Sequence, residues 1–174
     1  MKQSVPDFIE QLTSVTSSAV HLEMRDAYGV ADEADDFARW LATGERDVDP
    51  ASSYWSTWVN LVASLTTRRV SVRRARIVSE PVSDYIRYEH AGTVVNLGAG
   101  EQVRWLPRKQ ASDLTLPGND FWLLDGRLVR FGHFSGDGAY LGETFTDDPA
   151  VAALCDTAFE AVWERATPHE TYEL

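Results

Sequence analysis

Apolar positions change rhythm along this chain, from a spacing of three and four residues to β-branched runs and back again. Phe8, Ile9, Leu12 and Val15 recur at helical spacing behind Pro6 and Asp7, which predicts a short helix over 8–15. HLEMRDAY, residues 21–28, alternates only loosely; it is ambiguous and admits a short strand. Phe37, Trp40 and Leu41 stand at i, i+3 and i+4 behind Asp32, a candidate N-cap, and Gly44 supplies a stop, so a helix is expected over 32–41. A polar link with Pro50 follows over 45–53. Trp55, Trp58, Val59, Val62 and Leu65 then form an apolar stripe along a helix over 54–65, its tryptophans read as core.

At Val70 the texture changes. VSVRRARIV is rich in β-branched residues and predicts a strand over 70–78, ended by Ser79-Glu80-Pro81. Ser83 is an N-cap for a helix over 82–97, with Gly98 behind it. Residues 102–106 form a strand stopped by Pro107, and 108–119 a polar loop. Two apolar runs, 121–124 and 128–134, flank Asp125-Gly126, a strong tight-turn signal. A turn over 135–138 leads into a strand over 140–145. The last helix spans 146–166, with Asp147 or Asp148 as cap and Pro149 in its first turn. This order predicts an α/β fold, with α+β as the alternative: a mostly buried sheet flanked by helices. Residues 1–174 are read as one domain, with an N-terminal helical and strand region over 1–50 and the α/β core over 51–174.

Composition narrows the class. The 174 residues are 44% hydrophobic and 25% charged, within the range of one globular domain. The apolar runs are too short and too charged for a membrane span, and MKQSVPDFIEQ lacks the pattern of a secretory signal. A single cysteine, Cys155, excludes an internal disulfide framework and a cysteine zinc cluster, and its place on an apolar helix face marks it as inert core. The expectation is a soluble cytoplasmic protein. The net charge of −11 is unevenly spread, with 11 acidic and 4 basic residues over 1–50, 4 and 9 over 51–110, and 12 and 3 over 111–174. Lys2 and Lys109 are the only lysines. Such a surface repels phosphate at long range, which argues against direct nucleic-acid binding and leaves a local basic patch in the middle third. Internal pairing of those arginines with the acidic thirds is the plainer explanation.

Two resemblances bear on the fold. LEMRDAYGV, FARWLATGE, VRRARIVSEPVSDYIRYEH, VRWLPRKQASDL, LPGNDFWLLDG and HFSGDG resemble the block pattern of an actinobacterial domain family of unknown function, often encoded beside helix-turn-helix regulators. FWLLDGRLVRFGHF and DDPAVAALCDTAFEAVWERA are similar to the closing half of a phospholipase D-like domain. That resemblance implies a mixed sheet flanked by helices and a site of the form His-x-Lys-x4-Asp, where histidine attacks phosphorus and lysine neutralises growing phosphate charge. With Asp125 as the aspartate, the lysine position is Asp120 and the histidine position is Gly118. No His or Lys stands between Lys109 and His133, so a small shift of alignment restores neither. Hydrolysis by that mechanism is not expected, though enzymatic activity of another kind stays open.

Among the remaining polar residues, Arg74 and Arg76 rank first. On a strand they share one face with Val70, Val72 and Val78, and Arg104 on a neighbouring strand is expected to join them, an arrangement suited to carboxylate or phosphate. The alternative is salt bridging to Glu80, Glu89, Asp84 or Asp125. His133, Ser135 and Asp137 in HFSGDG form a second cluster, either an anion-binding loop or a plain hairpin turn. Ser79, Glu80 and Asp84 fit a metal or acid–base group less well than a strand–helix junction. The four histidines lack ligand spacing and no nucleotide-binding glycine motif is present, so no metal or cofactor is expected. The expected function is a non-enzymatic regulatory or adaptor protein working with a helix-turn-helix transcriptional regulator through protein or small-ligand binding, possible as a homodimer by analogy. The alternative is a binder or enzyme for a small anionic molecule held by Arg74, Arg76, Arg104, His133 and Asp137.

Overall fold

The computed structural model describes residues 8–174. Five helices and seven strands occur in them: α1 (Phe8–Thr13), β1 (Ser18–Glu23), α2 (Ala34–Thr43), α3 (Ser56–Thr67), β2 (Ser71–Val78), α4 (Asp84–Ala99), β3 (Gln102–Pro107), β4 (Phe121–Leu124), β5 (Leu128–Phe134), β6 (Tyr140–Thr146), α5 (Pro149–Arg165) and β7 (Thr167–Pro168). The strands make one mixed sheet in the order β6-β5-β4-β1-β2-β3-β7. Strands β1, β2 and β3 are parallel and joined by helical crossovers; every other neighbouring pair is antiparallel.

Each sheet face buries its own core, and strand parity decides which residue goes where. Val20, Leu22, Ala75, Ile77, Phe121 and Leu123 pack against Phe159 and Val162 of α5. On the opposite face Ala19, Val72, Trp122 and Leu124 pack against Val62 and Leu65 of α3. Val103 and Trp105 meet Tyr85, Ile86 and Tyr88 of α4 there. Cys155 lies in the α5 core, fully buried, and burial pushes its thiol up to about 11, so it stays protonated at neutral pH.

Local chemistry accounts for most element boundaries. The Ser83 side chain accepts from the Ile86 N–H at 3.2 Å at the start of α4, and Asp148 caps α5 at Ala150 N–H, 2.8 Å, with Pro149 in the first turn. Asp125 and Gly126 both take positive φ, 51° and 63°, in the three-residue turn between β4 and β5. Several boundaries differ from expectation. The first strand covers 18–23, so residues 24–28 leave the sheet rather than forming its end. Helix α2 begins after a 3-10 turn over Ala31–Glu33, and Asp32 does not cap it. Helix α4 runs through Gly98 and ends at Gly100, whose φ of 103° closes it. Pro6 and Asp7 lie outside the described residues. Among the described residues no helix is long and apolar enough to cross a membrane.

Candidate ligand cavity

Open α/β sheets place their sites beyond the carboxyl ends of parallel strands, and the polar side chains of this protein collect at that end of β1 and β2. His21 and Glu23 of β1 share the α3/α4 face with Arg74 and Arg76 of β2, because the parallel register sets His21 beside Arg74 and Glu23 beside Arg76. Arg74 donates to Glu101 (Nε–Oε1, 2.6 Å) and to Glu23 (Nη1–Oε1, 2.7 Å). Arg76 donates to the second Glu23 oxygen at 2.6 Å and to Thr93 at 3.1 Å, and pairs with Glu89 at 2.8 Å. Glu101, only 2% exposed, also accepts from Asn96 at 2.7 Å and Trp58 at 3.2 Å. The Arg74 guanidinium lies between Trp58 and Trp122, 5.5 and 5.7 Å from their ring centres. His21 stacks on Trp122 at 4.2 Å.

Above this floor is a cavity of about 270 Å³, with Arg74, Glu89, Asp120, Tyr28, Phe134 and Tyr140 in its wall. Glu33, Arg74 and Glu89 also line a neighbouring hollow of about 240 Å³ beside Arg46 and Asn96. The roof is the chain after β1. Gly29 N–H donates to Gly138 O at 2.9 Å, fastening this strap to the β5–β6 hairpin, and a Cβ on Gly29 would stand 2.8 Å from that oxygen. Asp26 holds the other side through the Ser79 N–H and hydroxyl, both at 2.7 Å. Asp120, 6% exposed, accepts from the Met24 N–H at 2.9 Å and from the Tyr28 hydroxyl.

Burial dominates the electrostatics here. It opposes ionisation of Glu23, but Arg76 and Arg74 outweigh it and hold that carboxyl well below its ordinary range. Glu89 is pushed up by burial, which its single partner Arg76 does not offset. Burial raises Asp120 to about 6 against the Tyr28 hydrogen bond. His21 is driven well below its usual value by burial, with Glu23 opposing, and is neutral at pH 7.

The expected site residues therefore fall in three places. Arg74 and Arg76 stand on the same sheet face, Arg74 lining both the cavity and the neighbouring hollow and Arg76 the hollow alone, and both are neutralised by Glu23, Glu89 and Glu101. Arg104 is paired with Ala75 in the ladder and so points to the other face, where it donates to Trp163 O at 2.9 Å. His133, one residue out of phase with Gly132, bonds Thr144 at 2.9 Å on the sheet edge, and Asp137 takes the Ser135 hydroxyl in an exposed turn. Glu80 accepts from Tyr172 at 2.8 Å, while Ser79 serves Asp26, so that junction is occupied structurally. Of the motif positions, Gly118 is in an exposed bend and Asp120 faces the cavity. Asp125 lies beyond the opposite end of β4, where it gathers the Thr16, Ser17 and Ser18 N–H groups at 2.7–3.2 Å; burial opposes ionisation, but those donors hold it at about 2. No cluster able to hold a metal occurs among the described residues. Sequence reasoning missed Glu23, Glu33 and Glu101; correct placement of β1 would have put Glu23 on the Arg74 face.

A mixed sheet with two crossovers on one face and α5 on the other is the phospholipase D-like α/β arrangement. Two solved structures share it. A phospholipase D family member, Nuc from Salmonella typhimurium, superposes with a TM-score of 0.50 at 9% identity, covering 92% of this chain and 86% of that one. NucT from Helicobacter pylori gives 0.54 at 14% identity, covering 92% and 87%. At these identities the likeness concerns fold alone. The chain belongs to the DUF6879 family, a domain of unknown function, whose pattern it matches over residues 6–174. No curated protein matches it in sequence.

Proposed function

We propose that this chain is a non-hydrolytic phospholipase D-like domain that binds a small ligand in the strapped cavity and acts as a regulatory adaptor for a helix-turn-helix regulator in the cytoplasm of an actinobacterium. One observation supports the non-hydrolytic reading: the cavity wall holds a buried carboxylate, Asp120, which with Gly118 stands where the motif spacing counted back from Asp125 would put lysine and histidine. Asp125 is committed to backbone amides at the other end of its strand, so it orients nothing in the cavity. An anion in the cavity would repel the phosphoryl oxygens it needs to stabilise. The acidic exterior favours a basic protein partner by speeding encounter, and a homodimer is compatible with this reading.

Incubation of the pure protein with bis(p-nitrophenyl) phosphate tests the first half; no turnover above a buffer blank is expected. Turnover above the blank that stays with the protein through a second purification step would overturn it. Affinity purification from the native host tests the second half: a helix-turn-helix protein is expected to co-purify stoichiometrically, and its absence would end the adaptor reading. The anionic-ligand alternative draws on Arg74 in the cavity wall and Arg76 behind it, but both guanidiniums are already bound by carboxylates at 2.6–2.8 Å.

A further inference from the structure

Charge and ring content in and around the cavity disagree with an anionic occupant. Glu23, Glu89 and Glu101 share Arg74 and Arg76, Glu143 pairs with Arg130, and Glu33 and Asp120 have no guanidinium partner, so six carboxylates in and around the cavity stand against three guanidiniums. Glu101 and Glu143 lie behind the wall and take up part of the charge of Arg74 and Arg130. Glu33 and Asp120 are held by neutral donors: Tyr54 and Tyr85 hydroxyls at 3.1 and 2.5 Å for Glu33, and Met24 N–H with the Tyr28 hydroxyl for Asp120. Glu89 has a cation on only one oxygen. Of the other cations nearby, Arg46 borders the adjoining hollow and is bonded to Asp36, and Arg25 lies over the Phe134 ring at 4.9 Å and lines an outer groove with Asp26 and Asp137.

The rest of the wall is aromatic. Tyr28 packs on Phe134 at 5.2 Å and on Tyr85 at 5.9 Å, and Phe134 on Tyr140 at 5.5 Å, so aromatic rings surround the same space as the carboxylates. Aromatic rings with unneutralised carboxylates are the chemistry that selects an organic cation. The protein itself uses this pairing elsewhere. The Arg46 guanidinium lies 3.9 Å from the Tyr88 ring centre while bonded to Asp36, and the Arg76 guanidinium 4.9 Å from Trp105.

We propose that the cavity takes an organic cation, a primary ammonium or guanidinium on a small aromatic or aliphatic group, seated against Glu33, Glu89 and Asp120 and enclosed by Tyr28, Tyr85 and Phe134. This rests on the small-ligand reading above and fixes the sign of the ligand. Uncompensated buried carboxylates are costly, and without a cation they take up protons instead, which is the direction in which burial drives Glu89 and Asp120. A cavity of about 270 Å³ suits a compound of one ring or one short chain.

Calorimetric titration of the whole chain at pH 8 tests the assignment with two ammonium probes, phenethylamine and agmatine, and with the neutral and anionic isosteres 2-phenylethanol and 3-phenylpropionate. At least one ammonium compound is expected to bind roughly tenfold to hundredfold more tightly than the uncharged isostere, with 3-phenylpropionate weakest. Glu33→Gln keeps the side chain's shape and one of its two acceptor oxygens, so one of the tyrosine hydroxyls must accept from the new amide N–H instead of donating, and folding of the variant is checked by its thermal transition. Its ammonium affinity is expected to fall by about tenfold with no change for 2-phenylethanol. Equal or tighter binding of the neutral or anionic isostere would overturn the cation and leave the small-ligand reading standing. Unchanged ammonium affinity in folded Glu33→Gln would also overturn it. Binding by none of the four compounds would remove both.

Discussion

Replacing Arg74 by methionine keeps much of its apolar volume and removes the only cation that touches Glu101. The Glu101 side chain is fully buried, with Asn96 and Trp58 as its remaining donors, and neither carries charge. Breaking a buried pair from one side costs about 3–5 kcal/mol, chiefly because a charge is stranded out of water. Loss of the contacts to Trp58 and Trp122 adds to this, while Glu23 keeps Arg76 and is only half deprived. For a chain of this size about 3–5 kcal/mol lowers Tm by roughly 6–20 °C. Urea unfolding followed by tryptophan fluorescence measures the change directly. Glu101→Gln in the same background removes the stranded charge and keeps an acceptor, so the double variant is expected to recover about 1.5–3 kcal/mol relative to the sum of the singles. A loss below about 1 kcal/mol for Arg74→Met, or simple additivity of the two changes, would refute the claim that this pair is a buried, mutually dependent unit.

Three further outcomes follow from the same geometry. Asp120 sits at about 6 in the folded protein against about 4 unfolded, so its ionisation destabilises the fold as pH rises through that window; Asp120→Asn is expected to gain about 2–3 kcal/mol at pH 7.5 and much less at pH 4.5, read from urea midpoints, and equal gains at both pH values would refute this. Asp125 sits at about 2, below its unfolded value, so its contribution is complete above about pH 4 and is lost as pH falls toward 2; Asp125→Ala is expected to cost about 1–2 kcal/mol at pH 7 by thermal denaturation. Gly29→Val pushes a side chain into the Gly138 carbonyl, and hydrogen exchange of residues 24–33 is expected to quicken while α5 keeps its protection.

Most of the framework was legible because its signals are local. A proline, a capping serine or aspartate, and the Asp-Gly hairpin each act within a few residues, so β2 through α5 came out within two or three residues of their ends. The first strand did not, since its identity is set by pairing with β2 and β4 rather than by its own alternation. That one displacement hid the site. With β1 at 18–23, Glu23 lies beside Arg76; with a strand at 21–28 no partner for the arginines is in view on that side. Arg74 and Arg76 were found because period two is reliable inside a β-branched run. Arg104 was placed with them without a register, and a single residue of phase between β2 and β3 put it on the opposite face. Glu33 and Tyr28 lie in irregular backbone, whose position depends on the distant Gly138 carbonyl and leaves no pattern in the sequence.

The strap over the cavity is neither helix nor strand for most of its length; a main-chain bridge of Gly29 with Ala139 joins it to the hairpin, and Asp26 pins its other side to Ser79. The space beneath it is half open, so a bound molecule would meet this stretch of chain on one side and solvent on another. A molecule held inside would in turn report its presence outward through the same stretch, on the rim where the Gly136–Gly138 turn meets solvent.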